Sequence, residues 1–382
     1  MQVEQATWTQ ATGCWDPAPP GTLGADADLV LLFGDTALLH DRSLLDRIWR
    51  PYRLAHFMGC STAGEIAGTR VLDGALVVTA LQLEHGYVKG SRIAVDDDAD
   101  SREAGARLAR SLDTDGLRHV FVLSEGLGIN GTDLVRGLTR HLPQDVTVTG
   151  GLSGDGTRFQ ETFVLWDGPP ERRAVAALGI YGRRVRIGCG SLGGWDPFGP
   201  ERLITKSAGN VLYELDGKSA LELYTRYLGE HASGLPATGL LFPLSLRTTD
   251  RANGVVRTIL SVNEREQSLT FAGDVPFGSY ARLMKANVDR LIDGAIGAAK
   301  TSYEAIGSLS PDLAILISCV GRKLVLKQRI EEEVEGVRDV LGARTVLAGF
   351  YSYGEIAPFT PRATCELHNQ TMTITTIAEE SW

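Results

Sequence analysis

The chain has no long apolar run and no excess of basic residues, and both absences restrict what it does. None of its apolar runs approaches the roughly 18 residues that span a bilayer. Residues 1–24 are polar and lack the basic start and apolar stretch of a signal peptide. Acidic residues outnumber basic residues by 47 to 38, whereas a nucleic-acid binder presents a basic stripe. The sequence therefore predicts a cytoplasmic protein with neither a membrane partner nor a nucleic-acid partner.

Patterns typical of disulfide, metal and nucleotide sites are also missing. The five cysteines form no CxxC pair, and the seven histidines form neither HxH nor HxxxH. We therefore predict no disulfide framework, no metal centre and a reducing compartment. The glycine-rich loop Gly126–Gly131 lacks the Gly-Lys-Ser/Thr ending of a phosphate-binding loop. Two runs of like charge, Asp96–Asp98 and Glu331–Glu333, are interpreted as solvated faces or helix caps.

A catalytic constellation is missing as well. Cys60 and Ser61 are candidate nucleophiles for a hydrolase or transferase, but catalysis needs a base within hydrogen-bond reach that a third group holds in place. His56 is near in sequence, and its position on the same predicted strand leaves its geometry open. The chain has no Gly-x-Ser-x-Gly elbow, and a cysteine in an apolar strand is more often a small buried residue. We therefore expect a binding protein rather than an enzyme.

What the sequence does contain is one unit that occurs three times. Each copy has an apolar run typical of a buried strand, a helical stretch, a second apolar run that ends in a glycine-containing turn, and closing strands. The turn comes about 30 residues after the first strand, which is the length of a β-α-β crossover. The first strands and turns are Asp28–Phe33 with Gly59–Ile66, His119–Leu123 with Gly150–Gly156, and Leu313–Ser318 with Gly349–Ile356.

The region between the second and third copies has a different pattern. It predicts strands, a helix over Ser219–Leu228 that Ser219 caps, and a helix over Ser279–Ile306. A long helix is also predicted over Lys323–Leu341 in the third copy. The fold class is therefore α/β, with two domains built from pseudo-repeated β-α-β-β units and mixed sheets. The predicted divisions are an N-terminal extension at residues 1–25, a first domain at 26–217 and a second domain at 218–382.

The turns are the candidate ligand site. Glycine permits close backbone approach, exposed N–H groups in such turns bind anions, and the strand ends of α/β sheets commonly bind ligands. Turn amides that hold a carboxylate, with a glutamate that holds an ammonium group, would suit an amino acid. In the alternative interpretation the glycines only permit tight corners and the glutamates pair with nearby basic groups. The candidate ligand-binding residues are Cys60, Ser61, Thr62, Gly64, Glu65, Ser153, Asp155, Tyr351, Tyr353 and Glu355.

The first and third turns share the pattern Gly-x-x-Ser/Thr-x-Gly-Glu-Ile without gaps. Because repeats of one unit commonly associate through equivalent surfaces, we predict that these turns lie side by side across the interface between the two domains. Glu65 and Glu355 would then face a shared cleft that Tyr351 and Tyr353 line. The alternative is that each turn serves only its own domain.

These stretches resemble the FIST family. Residues 59–66 and 149–156 are similar to turns of FIST N-terminal domains, and the C-terminal half is similar to the FIST C domain. The resemblance covers about residues 26–376. In the C-terminal half it is carried by Phe271–Pro276, Ser318–Arg322, Gly349–Ile356 and Leu367–Thr371.

The resemblance implies a bacterial, intracellular sensory module of signal transduction that binds a small ligand such as an amino acid and needs no cofactor. Some members of the family are haem proteins that sense nitric oxide and regulate histidine kinases or cyclic-di-GMP enzymes. Haem is therefore the alternative, with His368 as its candidate ligand. The chain leaves no room for a kinase or other output domain, so we expect any signal to pass to a separate partner protein.

Overall fold

The structure, a computed structural model, describes residues 1–95, 101–235, 237–247, 254–307, 309–359 and 363–380. The acidic run Asp96–Asp98 lies outside the described residues. Helices and strands alternate along the chain, and the strands form four sheets, which confirms the mixed α/β class. In the described ranges, no helix is both long enough and apolar enough to cross a bilayer.

The first repeat occupies residues 2–82. Its elements are β1 (Gln2–Thr9), β2 (Cys14–Asp16), β3 (Leu29–Gly34), α1 (Thr36–Leu39), α2 (Arg42–Trp49), β4 (His56–Ser61), β5 (Glu65–Ala67), β6 (Arg70–Leu72) and β7 (Ala75–Gln82). Asp41 starts α2, because its carboxylate accepts a hydrogen bond from the Leu44 N–H at 3.0 Å. Residues 1–25 were predicted to be an extension, but β1 pairs along its whole length with β7 and belongs to the first sheet.

The second repeat occupies residues 87–181. Its elements are β8 (Tyr87–Ala94), α3 (Ser101–Ser111), β9 (Leu117–Ser124), α4 (Gly131–Thr139), β10 (Thr147–Leu152), β11 (Val164–Trp166) and β12 (Ala174–Tyr181). Asn130 caps α4, because its side-chain oxygen accepts the Thr132 N–H at 3.0 Å and the Asp133 N–H at 3.2 Å. The loop Gly126–Gly131 therefore leads directly from the carboxyl end of β9 into a capped helix.

The chain then adds one strand to the third repeat and leaves it for an inserted sheet. The elements are β13 (Val185–Leu192), β14 (Asp196–Ala208), β15 (Val211–Leu215), β16 (Lys218–Ser219), α5 (Ala220–Leu228), β17 (Leu244–Arg247), β18 (Val255–Arg257), β19 (Ile259–Asn263), β20 (Ser268–Phe271) and β21 (Tyr280–Lys285). As predicted, Ser219 caps α5, with its hydroxyl accepting the Glu222 N–H at 3.1 Å.

The third repeat is completed by residues 288–379. Its elements are α6 (Val288–Ala305), β22 (Leu313–Cys319), α7 (Val320–Leu326), α8 (Ile330–Leu341), β23 (Val346–Ser352), β24 (Gly354–Pro358), β25 (Cys365–His368) and β26 (Met372–Glu379). The helix predicted from Ser279 begins only at Val288, because residues 280–285 pair in the inserted sheet as β21. The long helix predicted from Lys323 is two helices, separated where Lys327 adopts a φ of 50°.

Three of the four sheets have the same strand order. In each, the first and second strands of a repeat are parallel neighbours, and the closing strand lies antiparallel on the other side of the first strand. A fourth strand, which comes earlier in the chain than these three, lies beyond the closing strand; it is β1, β8 or β13. The orders are β4-β3-β7-β1, β10-β9-β12-β8 and β23-β22-β26-β13. The predicted threefold repetition is therefore present in the topology.

The three sheets exchange strands in a cycle. After the turn, β5 of the first repeat joins the third sheet beside β23, and β24 of the third repeat joins the second sheet beside β10. The cycle closes where β11 of the second repeat joins the first sheet beside β4. No repeat completes its own sheet, so the three repeats depend on one another for their backbone hydrogen bonds.

Each second strand carries a glycine opposite the first strand of its repeat. A Cβ atom at any of these glycines would lie within 2.2 Å of a carbonyl oxygen on the first strand. A side chain there would push the two parallel strands apart. The glycines and the residues that carry those oxygens are Gly59 with Leu32, Gly150 with Val122, and Gly349 with Leu316.

The three central strands direct one face into a shared core. Leu31 of β3, Phe121 of β9 and Ile315 of β22 are buried in one hydrophobic cluster. Because side chains alternate along a strand, neighbouring residues such as Val120 and Leu316 face the helices of the second and third repeats. Strands buried on both faces explain why these runs are almost uniformly apolar.

The inserted sheet has a separate core. Its strand order is β18-β17-β21-β14-β15-β20-β19, with β16 beside β15. Ile204, Leu212 and Phe271 pack with α5 inside it. The predicted domain boundary between residues 217 and 218 lies in the turn between β15 and β16. The first and third repeats, which lie on its two sides in the chain, share a sheet. The division of the chain into two domains therefore stays a prediction.

Candidate functional site

The three glycine-containing turns meet at one place, which we call the turn junction (residues 61–65, 153–156 and 351–355). The Ala63 N–H donates to the Tyr351 carbonyl oxygen at 2.8 Å, and the Tyr351 N–H donates to the Gly64 carbonyl oxygen at 2.8 Å. The Gly154 N–H of the second turn lies 2.9 Å from the Ser61 carbonyl oxygen. The prediction that the first and third turns lie side by side is confirmed, and the second turn lies beside them.

The shared cleft predicted between these turns is wrong. Glu65 is 1% exposed, and Glu355 and Tyr351 are 0% exposed. Gly64 is also closed off, because it has a φ of 132° and a Cβ there would meet the Lys323 Nζ at 2.2 Å. Lys323 donates to the Ala63 carbonyl oxygen at 2.9 Å and pairs with Asp73. Strand exchange fills the space in which a cleft would lie.

The two glutamates have equivalent surroundings. The Thr62 hydroxyl lies 2.5 Å from Glu65 Oε1, and the Ser352 hydroxyl lies 2.7 Å from Glu355 Oε1. Glu65 Oε2 accepts the Ala75 N–H at 3.2 Å. Glu355 Oε2 accepts the Thr371 N–H at 3.1 Å and the Thr371 hydroxyl at 2.9 Å. Burial raises the pKa of Glu65 to about 8 and that of Glu355 to about 7, because removal from water disfavours the charged carboxylate. Near neutral pH, Glu65 is therefore mostly protonated, and Glu355 is divided between its protonated and ionised forms.

Asp155 of the second turn is held differently. Its carboxylate accepts the N–H groups of Phe159, Gln160 and Glu161 at 2.8, 2.9 and 3.0 Å, and it also accepts the Tyr353 hydroxyl. Burial alone would raise the pKa of Asp155, but these hydrogen bonds outweigh it and lower the pKa below its usual value. Asp155 is therefore an ionised carboxylate that organises the loop 155–161. The neighbouring Ser153 hydroxyl is buried and has no partner among the described residues.

Cys60 and Ser61 lack the surroundings of a nucleophile. Both are 0% exposed, and burial together with Glu65 raises the pKa of the Cys60 thiol well above its usual value. The Ser61 hydroxyl accepts the Phe163 N–H at 2.9 Å rather than facing a base. His56 lies at the other end of β4, where it pairs with Asp167 at 2.7 Å. The geometry therefore does not support a hydrolase or transferase at these residues.

His368 does not fit the role of a haem ligand. Its side chain is 2% exposed, and its Nε2 lies 2.9 Å from the Ala357 carbonyl oxygen. Burial lowers the pKa of His368 to about 4, so the ring is neutral. An axial ligand needs a free ring nitrogen that faces space for the macrocycle, and this ring lies within the second sheet. Among the described residues, no group of three or more His, Cys, Asp or Glu side chains is arranged for a metal ion.

Tyr351 and Glu333 belong to a buried polar cluster, whereas Glu331 is exposed and Glu332 partly exposed, as expected for a solvated run. Glu333 was expected on a solvated face, but it is 0% exposed and lies 2.6 Å from the guanidinium of Arg322, which is also 0% exposed. The Tyr351 hydroxyl donates to Glu333 Oε1 at 2.7 Å. Glu331 accepts the Val71 N–H at 3.1 Å. Arg322 also donates to the Leu291 carbonyl oxygen at 2.7 Å, so this cluster ties α6, α7, α8 and β23 together.

An open cleft lies next to the turn junction, between the second repeat and the inserted sheet. This apolar cleft has a volume of about 350 Å³. The loop Gly126–Gly131, at the carboxyl end of β9, forms the wall that the second repeat contributes. Of the site residues predicted from the sequence, Tyr353 alone lines the cleft. The full lining is Gly126, Leu127, Gly128, Ile129, Asn130, Gly131, Leu152, Phe159, Asn210, Leu260, Phe271, Ala272, Gly273 and Tyr353.

The chemistry of the apolar cleft follows from this lining, which contains no charged side chain. The Phe159 ring stacks on Tyr353, with ring centroids 4.4 Å apart. Glu125 holds the loop by accepting the Leu127 and Gly128 N–H groups at 3.0 and 2.7 Å. Leu127, Phe159 and Leu260 remain 39–42% exposed at the cleft, so their apolar side chains are accessible to a ligand. Aromatic faces, aliphatic groups and backbone amides are what this cleft offers a ligand.

Sequence reasoning missed most of this lining. Gly126–Gly131 was considered only as a phosphate loop, and Phe271–Pro276 was noted only for its resemblance to a family. The signal that was available is the position of the loop, because ligands bind at the carboxyl ends of parallel strands in open α/β sheets. That the inserted sheet forms the opposite wall has no local signal in the sequence.

Comparisons with known proteins agree with the motifs. The model of the FIST N domain matches residues 28–218, and the model of the FIST C domain matches residues 220–358. An uncharacterised protein of Methanocaldococcus jannaschii is 24% identical over 353 residues, which are 85% of this chain and 65% of that protein. The chain thus spans less than two thirds of that relative. A cyanuric acid hydrolase from A. caulinodans is 12% identical, with 78% of this chain and 100% of that chain covered, at a TM-score of 0.18, which does not establish a shared fold.

Proposed function

The chain belongs to the FIST family, whose domains are associated with sensing in signal transduction, and on that basis we propose that it is a cytoplasmic sensor that binds a small molecule in the apolar cleft. The ligand state would pass to a separate partner protein, such as a histidine kinase or a cyclic-di-GMP enzyme. The cytoplasmic part of the proposal is supported by five cysteines that are all free, four of them buried, as expected in a reducing compartment.

One observation carries the proposal: the apolar cleft opens where the second repeat meets the inserted sheet, at the carboxyl end of β9. Concave sites between domains, lined by apolar side chains and a few polar groups, are the usual sites for small ligands. The turn junction, by contrast, is closed to solvent. The cleft is therefore the better candidate, and the buried turn residues would act through Tyr353.

The lining defines the class of ligand. A free amino acid needs a partner for its ammonium group and one for its carboxylate, and no charged side chain lines the cleft. Aromatic rings and aliphatic side chains instead favour a molecule with an aromatic or aliphatic body, whose polar group bonds to backbone amides. Among amino acids, those with such side chains fit best.

Tyr353 provides a route from the cleft to the turn junction. Its ring lines the cleft, and its hydroxyl bonds to Asp155 and to the Gly156 carbonyl oxygen, the latter at 3.2 Å. A ligand that stacks in the cleft would favour one arrangement of Tyr353 and Phe159. A ligand with different affinities for two arrangements shifts their populations, and a partner can bind one of them preferentially.

The proposal is tested by thermal unfolding with a panel that contains indole, phenol, and the aromatic and aliphatic amino acids. A ligand at 100 times its Kd stabilises the folded state by about 2.7 kcal/mol. Leu260→Trp should abolish the stabilisation, because Leu260 is 42% exposed at the cleft and the larger ring would fill it.

The matched control is Leu203→Trp, since Leu203 is 36% exposed in the same inserted sheet and does not line the cleft. It should leave the stabilisation unchanged. A panel compound that stabilises wild type and Leu260→Trp equally would contradict the assignment to this cleft.

A further inference from the structure

A second cleft lies on the other side of α4 from the apolar cleft. We call it the arginine cleft, after Arg136 and Arg257, which line it with Asp274, Ser279, Thr364 and Glu366. Its volume is about 410 Å³. The two clefts differ in chemistry, since the arginine cleft contains charged side chains of both signs, and two further threonines, Thr132 and Thr139 of α4, belong to its lining.

Arg257 is the unusual residue of this cleft. It is 5% exposed, yet its guanidinium has only carbonyl partners, with Nη1 2.9 Å from the Leu367 oxygen and Nε 3.3 Å from the Asp274 oxygen. No carboxylate of the described residues lies within 4.0 Å of it. Burial lowers the pKa of Arg257 to about 10, so the group is still a cation at neutral pH.

The carboxylates that share the cleft, Asp274 and Glu366, attract the Arg257 cation but do not contact it. Asp274 is engaged elsewhere, because Oδ2 lies 2.7 Å from Arg136 Nη1 and Oδ1 accepts the Asn130 amide at 3.3 Å. Glu366 lines the cleft without forming an ion pair with Arg257. A buried guanidinium that lines a cavity and contacts only carbonyl oxygens is typical of sites that bind carboxylate or phosphate.

We propose that the arginine cleft binds a small molecule through an oxyanion group, a carboxylate or a phosphate, which pairs with the guanidinium of Arg257. The hydroxyls of Ser279 and Thr364 lie in the same lining and supply neutral donors. This site is independent of the apolar cleft, because the two share no lining residue. The side chain of Asn130, which caps α4 and lines the apolar cleft, donates to Asp274 of the arginine cleft, so the linings of the two sites adjoin at the start of α4.

The test is calorimetric titration of the full chain with inorganic phosphate and, separately, with succinate, at constant ionic strength. We expect at least one of the two anions to bind, and which one binds distinguishes phosphate from carboxylate ligands. Arg257→Gln should weaken binding by about ten-fold or more, and Arg257→Lys should weaken it less, because a lysine keeps the charge but loses the bidentate geometry.

The control is Arg140→Gln, one helical turn along α4, since Arg140 does not line the arginine cleft; its binding should equal that of wild type. Leu260→Trp in the apolar cleft should also leave anion binding unchanged. Thr364→Trp, at an exposed position of the lining, should weaken binding and replaces Arg257→Gln as the deciding variant if the latter does not fold. Absence of binding by both anions, or unchanged affinity in a folded Arg257→Gln or in Thr364→Trp, would overturn the proposal.

Discussion

The first and third turns carry the stronger sequence pattern, and yet neither of their glutamates lies at the open cleft, which is lined by Leu152 and Phe159 on the two sides of the second turn and by Tyr353 of the third. Glu65 and Glu355 end their turns inside exchanged sheets, with no more than 1% of either residue exposed. The second turn instead continues into the loop 155–161, whose Phe159 lines the apolar cleft. The shared pattern therefore accompanies the strand exchange, whereas the open cleft lies where the inserted sheet breaks the threefold repetition.

The carboxyl groups of the three turns also differ in their pKa values. Burial raises the pKa values of Glu65 and Glu355, and a set of hydrogen bonds overcomes burial to lower the pKa of Asp155. The first and third turns therefore hold their carboxyl protons to a higher pH than the second turn, whose carboxylate is ionised. The anionic turn is the one whose carboxylate bonds to a residue of the cleft, Tyr353.

The largest effect that the comparison predicts comes from Gly349→Ala. The new Cβ would lie 1.9 Å from the Leu316 carbonyl oxygen, so β22 and β23 must separate. We expect a loss of about 3 kcal/mol or more in the free energy of unfolding, measured with urea. Gly168→Ala is the control, because a Cβ there meets only an oxygen at 3.7 Å. Equal stability of the two variants would contradict a structural role for the turn pattern.

The next effect is a pH dependence of stability that the two glutamates produce. In the unfolded chain their protons dissociate near 4.5, but in the folded state they are retained until about 8 for Glu65 and about 7 for Glu355. The folded state therefore binds more protons across this interval, and the free energy of unfolding should fall as pH rises from 4.5 to 8.

The double variant Glu65→Gln/Glu355→Gln mimics the protonated pair and should lose this dependence. We expect it to match wild type near pH 4 and to exceed it by several kcal/mol near pH 9, where the folded wild type must ionise both buried carboxyl groups. Glu103→Gln, at an exposed ion pair, should follow the wild-type curve. Parallel curves for wild type and the double variant would show that the carboxylates are charged in the folded state.

A smaller effect is expected from Tyr353→Phe. The variant keeps the ring in the cleft but removes the hydroxyl that bonds to Asp155 and Gly156. We expect a loss of about 1–2 kcal/mol in urea unfolding, together with a weaker stabilisation by cleft ligands. Tyr87→Phe, at a residue 44% exposed, should change neither quantity. Unchanged ligand stabilisation in Tyr353→Phe would remove the proposed route between cleft and turns.

Much of the fold could be predicted because local patterns determine it. Apolar runs located the strands of the three repeats, and the gap-free match of Gly59–Ile66 with Gly349–Ile356 placed two turns together. The exchange of β5, β11 and β24 could not be predicted, because an apolar run indicates burial and does not specify the sheet that a strand joins.

Two misjudged features have specific physical causes. Consecutive residues of a helix point about 100° apart, so three successive glutamates span about 200° of its surface, and the third reaches the packed face of α8. Glu333 shares its face with Val337, four residues later, and is buried with it. The apolar cleft is built from residues 126–131, 271–273 and 353, and no spacing in the chain indicates that three such distant segments meet.

The most direct test of the central claim is amide hydrogen exchange with and without the panel compound that stabilises the protein most. Ligand contact slows exchange where it suppresses local opening. We expect the ligand to slow exchange in residues 126–131 and 271–273, on the two walls of the apolar cleft. The exchange rates of residues 61–65 should not change. Slower exchange at 61–65 and 352–355, with 126–131 unchanged, would contradict this expectation and place the ligand at the turn junction.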